Sequence, residues 1–514
     1  MKGRLVLKNF RITDESGDLT GSLVVEDGVI REIIPGGEAG LAGVSSGKEA
    51  GRRCLAAERV IDGRYFIPGE DRYIPGRYRV LMPAFVDLHA HFRDPGFFDT
   101  PPSEGPFPAE TLESACLAAA AGGFGTVVCM ANTRPPLDTL EKAQALKTRS
   151  DALGIIDLYP VISLTKNMEG KELSGISDVS PHAGHEARIP LMLSEDGKDL
   201  SDEALFLSAM GEARRIGVPV SCHCDFGGGE AAACKERGEP RRVWSRLEEN
   251  SAVRRAIELG KRAGCHIHIA HVSTKEAVET IRQAKAELRQ KAGRDAARNG
   301  GAGGGGESGG GFRLTCEAMP HNIALTEERA RELGEESFGR VNPPLRAETD
   351  RQAIIAAILD GTIDLIATDH APHAMADKAG GAPGFSGLET AFAVCYTELA
   401  GGVPGDAAGV PAGRIGLSRL SALMSANPAR ILRLAGEGSG TADSDIVDTG
   451  GAPAGRGRIA PGLRADLVIL DPDAAWKVDP AAFKTRGKNS AFAGRTLRGK
   501  VLVTLHGGRV VYEA

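Results

Sequence analysis

From residue 84 onward, short apolar runs of strand character alternate with helical patterns, and eight such runs occur before the alternation stops, at 84–91, 124–130, 155–163, 188–194, 218–223, 265–271, 313–317 and 363–369. Strands separated by helices pair in parallel, because a helix has room to carry the chain back across the sheet. Eight parallel strands with a helix or loop after each close into a TIM (β/α)8 barrel, in which functional groups gather at the C-terminal strand ends. That rule gives the assignment a test. His89, His91, Asp196, His223, His271 and Asp369 all fall at the ends of predicted strands.

The flanks have a different character. Residues 1–80 carry short β-type runs such as Leu5-Val6-Leu7 and Ser22-Leu23-Val24-Val25, with a Gly-rich stretch near 36–52. Two further runs, 465–470 and 500–505, follow the barrel. Neither end has enough strands to bury a core alone, so the two are expected to build one small β-sandwich domain together. The expected organisation is therefore α/β, with 1–80 and 455–514 in the small β domain and 81–440 in the barrel. Residues 285–311 end in a run of glycines too poor in apolar side chains to pack, and are expected to form a disordered surface insertion.

Composition excludes several classes of function. Lys and Arg number 62 against 68 Asp and Glu, a net charge of −6, and no basic stripe is present to hold nucleic acid. The N-terminus lacks the apolar segment of a signal peptide and no run is long enough to span a bilayer, so a cytoplasmic location without membrane association is expected. Nine scattered cysteines suit reduced thiols better than a disulfide framework.

The chemistry starts at His89 and His91. Two residues apart on a strand, their imidazoles share one face and can grip a single ion. A bare His-x-His is weak evidence until partners appear at other strand ends. Asp196 can bridge two cations through its two oxygens, His223 and His271 add nitrogen donors, and Asp369 can serve as ligand and proton carrier. Four imidazoles and two carboxylates form a donor set that suits Zn2+, with one or two ions per subunit expected. Cys222 and Cys224 flank His223 but point the opposite way in a strand, as small apolar residues do. His266 and His268 read as core or rim residues; His182, His185 and His506 read as solvated surface, and His321 and His373 occupy strand-end loops within reach of a substrate.

Five motifs then carry a family resemblance. Asp87-Leu88-His89-Ala90-His91-Phe92-Arg93-Asp94-Pro95-Gly96, Met130-Ala131-Asn132-Thr133-Arg134-Pro135, Val341-Asn342-Pro343-Pro344-Leu345-Arg346, Ala367-Thr368-Asp369-His370-Ala371-Pro372-His373 and Gly387-Leu388-Glu389-Thr390 resemble the signatures of class I dihydroorotases of the amidohydrolase superfamily. The similarity extends to Gly487-Lys488-Asn489-Ser490-Ala491-Phe492. The resemblance implies one zinc on His89, His91 and Asp369, a second on His223 and His271, and Asp196 bridging them. It also implies substrate contacts from His91, Arg93, Asn132, Asn342 and His373 and from main-chain atoms around Pro383 and Gly384, with Asp369 as the catalytic acid–base. The implied reaction is the reversible interconversion of N-carbamoyl-L-aspartate and (S)-dihydroorotate in pyrimidine biosynthesis.

Three departures from the family pattern are Asp94 in place of Glu, Ala131 in place of Pro, and Asn322 in place of a second His after His321. The 97–109 link is also longer than usual. Two rival readings follow from the same resemblance. Hydantoinases and allantoinases bridge their metals with a carboxylated Lys, whereas Asp196 stands at that place here, with Lys198 nearby as the rival bridge. A non-catalytic scaffold for aspartate carbamoyltransferase would have lost ligands, and all six positions are intact. Expected partners are the small-molecule substrate, aspartate carbamoyltransferase and further copies of the chain in a homo-oligomer.

Overall fold

The computed structural model describes residues 3–36, 59–66, 72–94, 110–180, 189–225, 246–298, 311–401, 413–435 and 455–514. The N-terminal segment supplies β1 (Arg4–Asp14), β2 (Gly17–Glu26), β3 (Val29–Pro35), β4 (Arg59–Asp62), β5 (Arg64–Phe66), β6 (Tyr73–Tyr78) and β7 (Val80–Pro83). The barrel follows, as β8 (Phe85–Ala90), β9 (Phe124–Cys129), β10 (Asp157–Pro160), β11 (Leu193–Ser194), β12 (Val220–Cys222), β13 (His266–Ile269), β14 (Arg313–Ala318) and β15 (Leu365–Ile366). The C-terminal segment adds β16 (Leu467–Lys477), β17 (Thr496–His506) and β18 (Arg509–Glu513).

All eight expected barrel strands are present and parallel. β8, β9 and β10 pair side by side, as do β11 through β15. The two arcs join at both seams. Ile162 bridges Leu193 on one side, with Ser194 N donating to Ile162 O at 3.3 Å. Ala90 bridges His370 on the other, with Asp369 N donating to His89 O at 2.9 Å and His91 N to His370 O at 2.7 Å. Strands such as Phe-Gly-Thr-Val-Val-Cys in β9 are buried along their whole length, which explains apolar runs without alternation. Local signals fix the helices between them. Thr139 accepts from Lys142 N at the start of Leu140–Leu153, and Gly154, at φ 61°, ends that helix in the left-handed conformation that glycine adopts freely.

Asp87 locks the closing seam. Its buried carboxylate accepts from His89 N at 3.1 Å, Thr368 N at 3.0 Å and Thr368 Oγ1 at 2.5 Å, so one side chain holds the C-terminal ends of β8 and β15 together.

Both termini do build one β domain, as expected. β18-β17-β16-β7-β1-β2-β3 run in order through an eight-stranded sheet with β4 added on β1, and β5 pairs β6 separately. Leu7, Phe10, Leu23, Ile30, Leu81, Leu467 and Leu505 form its apolar core, distinct from that of the barrel.

Two expectations are corrected. The stretch 285–298 is not a disordered insertion but the end of a long helix, Lys275–Arg298. Its Ala, Leu, Lys, Glu, Arg and Gln residues favour a helix, and Lys285 anchors it through Thr362 O at 2.7 Å and Asp364 at 2.5 Å. The glycines from 299 to 310 lie outside the described residues, as do the 97–109 link, most of 36–52, His182 and His185. His506 is buried rather than solvated. It sits 3.2 Å from Asp157, where the barrel meets the terminal sheet, in a cluster with Arg456 and Arg464. The seven described cysteines all carry free, buried thiols. Among the described residues, no helix is long and apolar enough to cross a membrane.

Burial pushes the Asp157 carboxyl up, but Arg456, Arg464 and His506 outweigh it and hold the group well below the usual carboxylate range. A depressed folded-state pKa contributes stability above the unfolded value near 3.8 and loses it as pH falls towards the folded value. Asp157→Asn removes the carboxylate that Arg456 and Arg464 share, leaving both to Asp466, and should cost about 3–5 kcal/mol at pH 7. The loss should shrink as pH falls below about 4. Urea unfolding from pH 7 to pH 3 measures both; a pH-independent difference would refute the linkage.

Candidate metal centre

The six residues expected to hold metal converge at the C-terminal mouth of the barrel. Each is set by a strand end: His89 in β8 and His91 just beyond it, Asp196 after β11, His223 after β12, His271 after β13 and Asp369 after β15. All six are buried. Asp196 lies at their centre. Its Oδ1 is 3.3 Å from His89 Nε2, 3.1 Å from His223 Nδ1 and 3.7 Å from His271 Nε2, and its Oδ2 is 3.4 Å from His91 Nε2. Asp369 Oδ1 is 3.1 Å from His91 Nε2 and 3.6 Å from His89 Nε2. Two donor sets result, His89–His91–Asp196 and Asp196–His223–His271, with Asp196 common to both.

Three observations fit these donors to cations. His89 Nε2 is enclosed and makes no hydrogen bond of acceptable geometry. Its other nitrogen, Nδ1, is 2.7 Å from Glu317 Oε1, and His91 Nδ1 is 2.8 Å from Asn132 Oδ1. An Nδ1–H donated to each oxygen leaves Nε2 of both rings as a lone pair aimed inward, the tautomer a metal ligand needs. Third, three buried carboxylates, Asp196, Glu317 and Asp369, surround His89.

The charges respond accordingly. Burial opposes protonation of His89, but Asp196 and Glu317 overcome it and raise its pKa. Burial pushes Asp196 and Asp369 up, yet the neighbouring imidazoles hold Asp196 well below the carboxylate range and Asp369 at about 2. Burial and the Arg93 charge lower His91. The pocket thus carries an excess of negative charge that attracts cations.

Backbone strain marks the same place. Arg93, His271 and Asp369 have φ of 56°, 33° and 46°, a region non-glycine residues avoid at a cost of order 1–3 kcal/mol.

Around the cluster, the expected substrate residues divide. Arg93 is half-buried beside it; its Nε is enclosed without a hydrogen-bond partner, and among the described residues no carboxylate lies within ion-pair distance. His373 Nε2 is 2.8 Å from Pro383 O and 3.5 Å from Arg93 Nη2. The carbonyl fixes Nε2 as the protonated nitrogen, so the Arg93 approach is a contact and not a hydrogen bond. Burial and the charge of Arg93 push the His373 pKa down to about 3, leaving the ring neutral. Asn132 supports the cluster directly, through His91 and through Nδ2, 3.4 Å from Asp196 Oδ2. Gly384, at φ 130°, packs so closely on Ala371 that a Cβ would lie 2.4 Å from the Ala371 Cβ. Asn342 stands apart from the two donor sets, in a loop tied to Gly384, whose N donates to Arg340 O at 3.0 Å.

Lys198 is not a bridge: its Nζ donates to Met168 O at 2.5 Å. Cys222 and Cys224 are thiols raised by burial and belong to neither donor set. His268 is a core residue with a task, since its Nε2 is 3.0 Å from Glu317 Oε2. Asp94, shorter than the usual Glu, pairs with Arg149 at 2.6 Å and accepts from Leu112 N at 3.3 Å at the start of the next helix.

Sequence reasoning missed Glu317 and the function of Asn489. A carboxylate within the apolar strand Arg-Leu-Thr-Cys-Glu-Ala was the available signal for Glu317. Asn489 lies in the Gly487–Phe492 motif, but its role depends on the fold. Its Nδ2 donates to Ala371 O at 3.1 Å and Gly384 O at 3.0 Å, and its Oδ1 accepts from His373 N at 3.1 Å and Ser386 Oγ at 3.0 Å. The C-terminal segment therefore clamps the 371–373 and 384–386 loops together.

Glu317→Gln should keep the fold and raise the apparent metal Kd about 10–100-fold, because the His89 tautomer and orientation are no longer enforced. Competition with a chelator measures this; an unchanged Kd would remove Glu317 from that role.

Comparison with known proteins agrees with this geometry. The model of the Amidohydrolase family matches residues 80–439. A dihydroorotase from Clostridium botulinum (strain Eklund 17B / Type B) is 34% identical over 509 residues, covering 99% of each chain. One from Syntrophus aciditrophicus (strain SB) is 33% identical over 458 residues, covering 87% of this chain and 90% of its own. Among solved structures, an L-hydantoinase (dihydropyrimidinase) from Arthrobacter aurescens superposes with a TM-score of 0.69 at 22% identity, covering 100% of this chain and 96% of its own. A D-hydantoinase (dihydropyrimidinase) from Thermus sp. gives 0.70 at 20% identity, covering 99% and 96%. The structural likenesses establish the fold; the sequence likenesses go further. A barrel ending in two donor sets that share one aspartate, matched along nearly its whole length by dihydroorotases, makes the chain a member of the amidohydrolase family in its dihydroorotase branch.

Proposed function

We propose that the chain interconverts N-carbamoyl-L-aspartate and (S)-dihydroorotate, with zinc at the cluster of His89, His91, Asp196, His223, His271 and Asp369. The observation that carries the choice of substrate is Arg93. A half-buried guanidinium beside a metal cluster, with no carboxylate partner among the described residues, calls for an anion from outside. Dihydroorotate carries a carboxylate, and a charge-assisted fork onto it is the strong form of such a contact. Plain hydantoin and allantoin carry none, which favours dihydroorotate over those rings.

His89, His91 and Asp369 would hold one ion, His223 and His271 the other, with Asp196 between them. Imidazole nitrogen and carboxylate oxygen are a mixture zinc accepts. Bound there, zinc supplies Lewis acidity, which polarises the amide carbonyl and acidifies water. Arg93, Asn342, His373 and the main chain at Pro383 and Gly384 would orient the ring, with Asn132 also supporting His91. Asp369, held as a carboxylate, takes a proton from the attacking water on its Oδ atom and returns it to the departing ring nitrogen. In the synthetic direction the same group moves the proton the other way. Association with aspartate carbamoyltransferase and with further copies of the chain belongs to this proposal through the resemblance, and co-sedimentation tests it.

The protein should hydrolyse dihydroorotate faster than hydantoin or allantoin in one assay series with metal quantified by elemental analysis. Preference for either rival ring would replace the substrate named here. Asp369→Asn should keep the fold and much of the metal while turnover falls about 10²–10⁴-fold. Wild-type turnover in that variant would exclude Asp369 as the proton carrier.

A further inference from the structure

Lys378, in the short helix Met375–Ala379, is fully buried. Among the described residues no carboxylate pairs with it. Its ammonium instead meets three acceptors, one for each N–H: the Arg340 carbonyl, the Ala382 carbonyl at 2.9 Å, and the face of the Phe385 ring with its centroid 5.0 Å away. Burial and the nearby Arg340 charge pull its pKa down to about 7, the desolvation penalty of an amine enclosed at this place. A methionine would fill similar space without that penalty, so mere packing is a poor account of it.

The acceptors explain the choice of residue. Arg340 O also accepts from Gly384 N at 3.0 Å, and Asn342 lies two residues further on. Ala382 precedes Pro383, whose carbonyl faces His373 Nε2 at 2.8 Å. Phe385 follows Gly384 and also packs edge-on against His321, with ring centroids 5.6 Å apart. All three partners of the Lys378 amine belong to the two loops proposed above to face the substrate, and Lys378 is the only described side chain that hydrogen-bonds to both Arg340 O and Ala382 O.

We propose that Lys378 is a positioning residue for the substrate: its ammonium staples the 340–342 and 382–385 backbones at the separation that lets Asn342, His373 and the Gly384 main chain grip one ligand. The inference rests on the substrate side assigned above. It places Lys378 outside the metal centre and outside proton transfer, so its removal weakens ligand binding without emptying the metal site.

The test compares wild type with Lys378→Met and Lys378→Arg, each metal-loaded, by kcat and KM for dihydroorotate, by calorimetric Kd for N-carbamoyl-L-aspartate and by metal content. Lys378→Met should raise KM and Kd at least about tenfold, with kcat within about threefold of wild type and metal content unchanged. Lys378→Arg keeps a charged donor in a fully enclosed space and should fall between the two. Unchanged KM and Kd in a folded Met variant, or a loss of kcat alone, would overturn the proposal. If the Met variant does not fold, the Arg variant decides, and wild-type KM and Kd in it overturn the proposal equally. Failure of the substrate assignment is seen separately, in wild type alone. If wild type prefers hydantoin, the same comparison is made with hydantoin, since the two loops are unchanged.

Discussion

Closure of the barrel between β8 and β15 is the constraint on which the site depends. Two backbone hydrogen bonds across that seam, Asp369 N to His89 O and His91 N to His370 O, bring the first and last strands of the barrel to one point. His89 and Asp369, 280 positions apart in the chain, thereby become neighbours at 3.6 Å. Asp87 reinforces the seam from below, and burial raises its own carboxyl to about 7 against the hydrogen bonds of Thr368 and His89. An acidic side chain buried there at that cost serves geometry, since its three hydrogen bonds hold the β8 and β15 ends, and the donors on them, together.

A second tension lies at the mouth. Asp196, Asp369 and Glu317 are buried together, and removing each charge from water costs several kcal/mol unless partners compensate. Four imidazoles supply part of the compensation, and cations on the inward-facing nitrogens would supply the rest. Glu317 lies behind His89 and acts through His89 and His268, which it accepts from at 2.7 and 3.0 Å. The site is thus built in layers, with the inner donors oriented by carboxylate and amide groups behind them.

The terminal segments do more than cover the barrel. Asn489 ties the His373 loop to the Gly384 loop, while Glu389 accepts from Lys484 N at 2.9 Å and Thr485 N at 3.0 Å to hold the segment that carries Asn489. At the junction with the terminal sheet, Asp157, Arg456, Arg464 and His506 form a buried ion cluster. The C-terminal segment therefore supports the loops beside the cluster through a chain of polar contacts.

The eight strands and the gathering of six candidate donors at strand ends were legible in the sequence, because apolar runs report burial locally and His-x-His at a strand end reports a shared face. The helix through Arg298 was misread where its good helix formers ran into a glycine tract, and His506 was misread because a lone histidine near a chain end gives no local sign of burial. Glu317, Asn489 and Lys378 were not legible as site-builders, since each acts on groups far away in the chain: Asn489 lies 116 residues from the His373 amide it holds. What the sequence by itself determined was a barrel, its strand order and the chemical type of its candidate metal donors, all of which follow from periodicity and residue type. Only the tertiary structure decided which nitrogen of each imidazole points inward, which charge lacks a partner, and which distant side chains hold the loops. Those properties depend on burial and on hydrogen bonds between segments that meet only when the barrel closes.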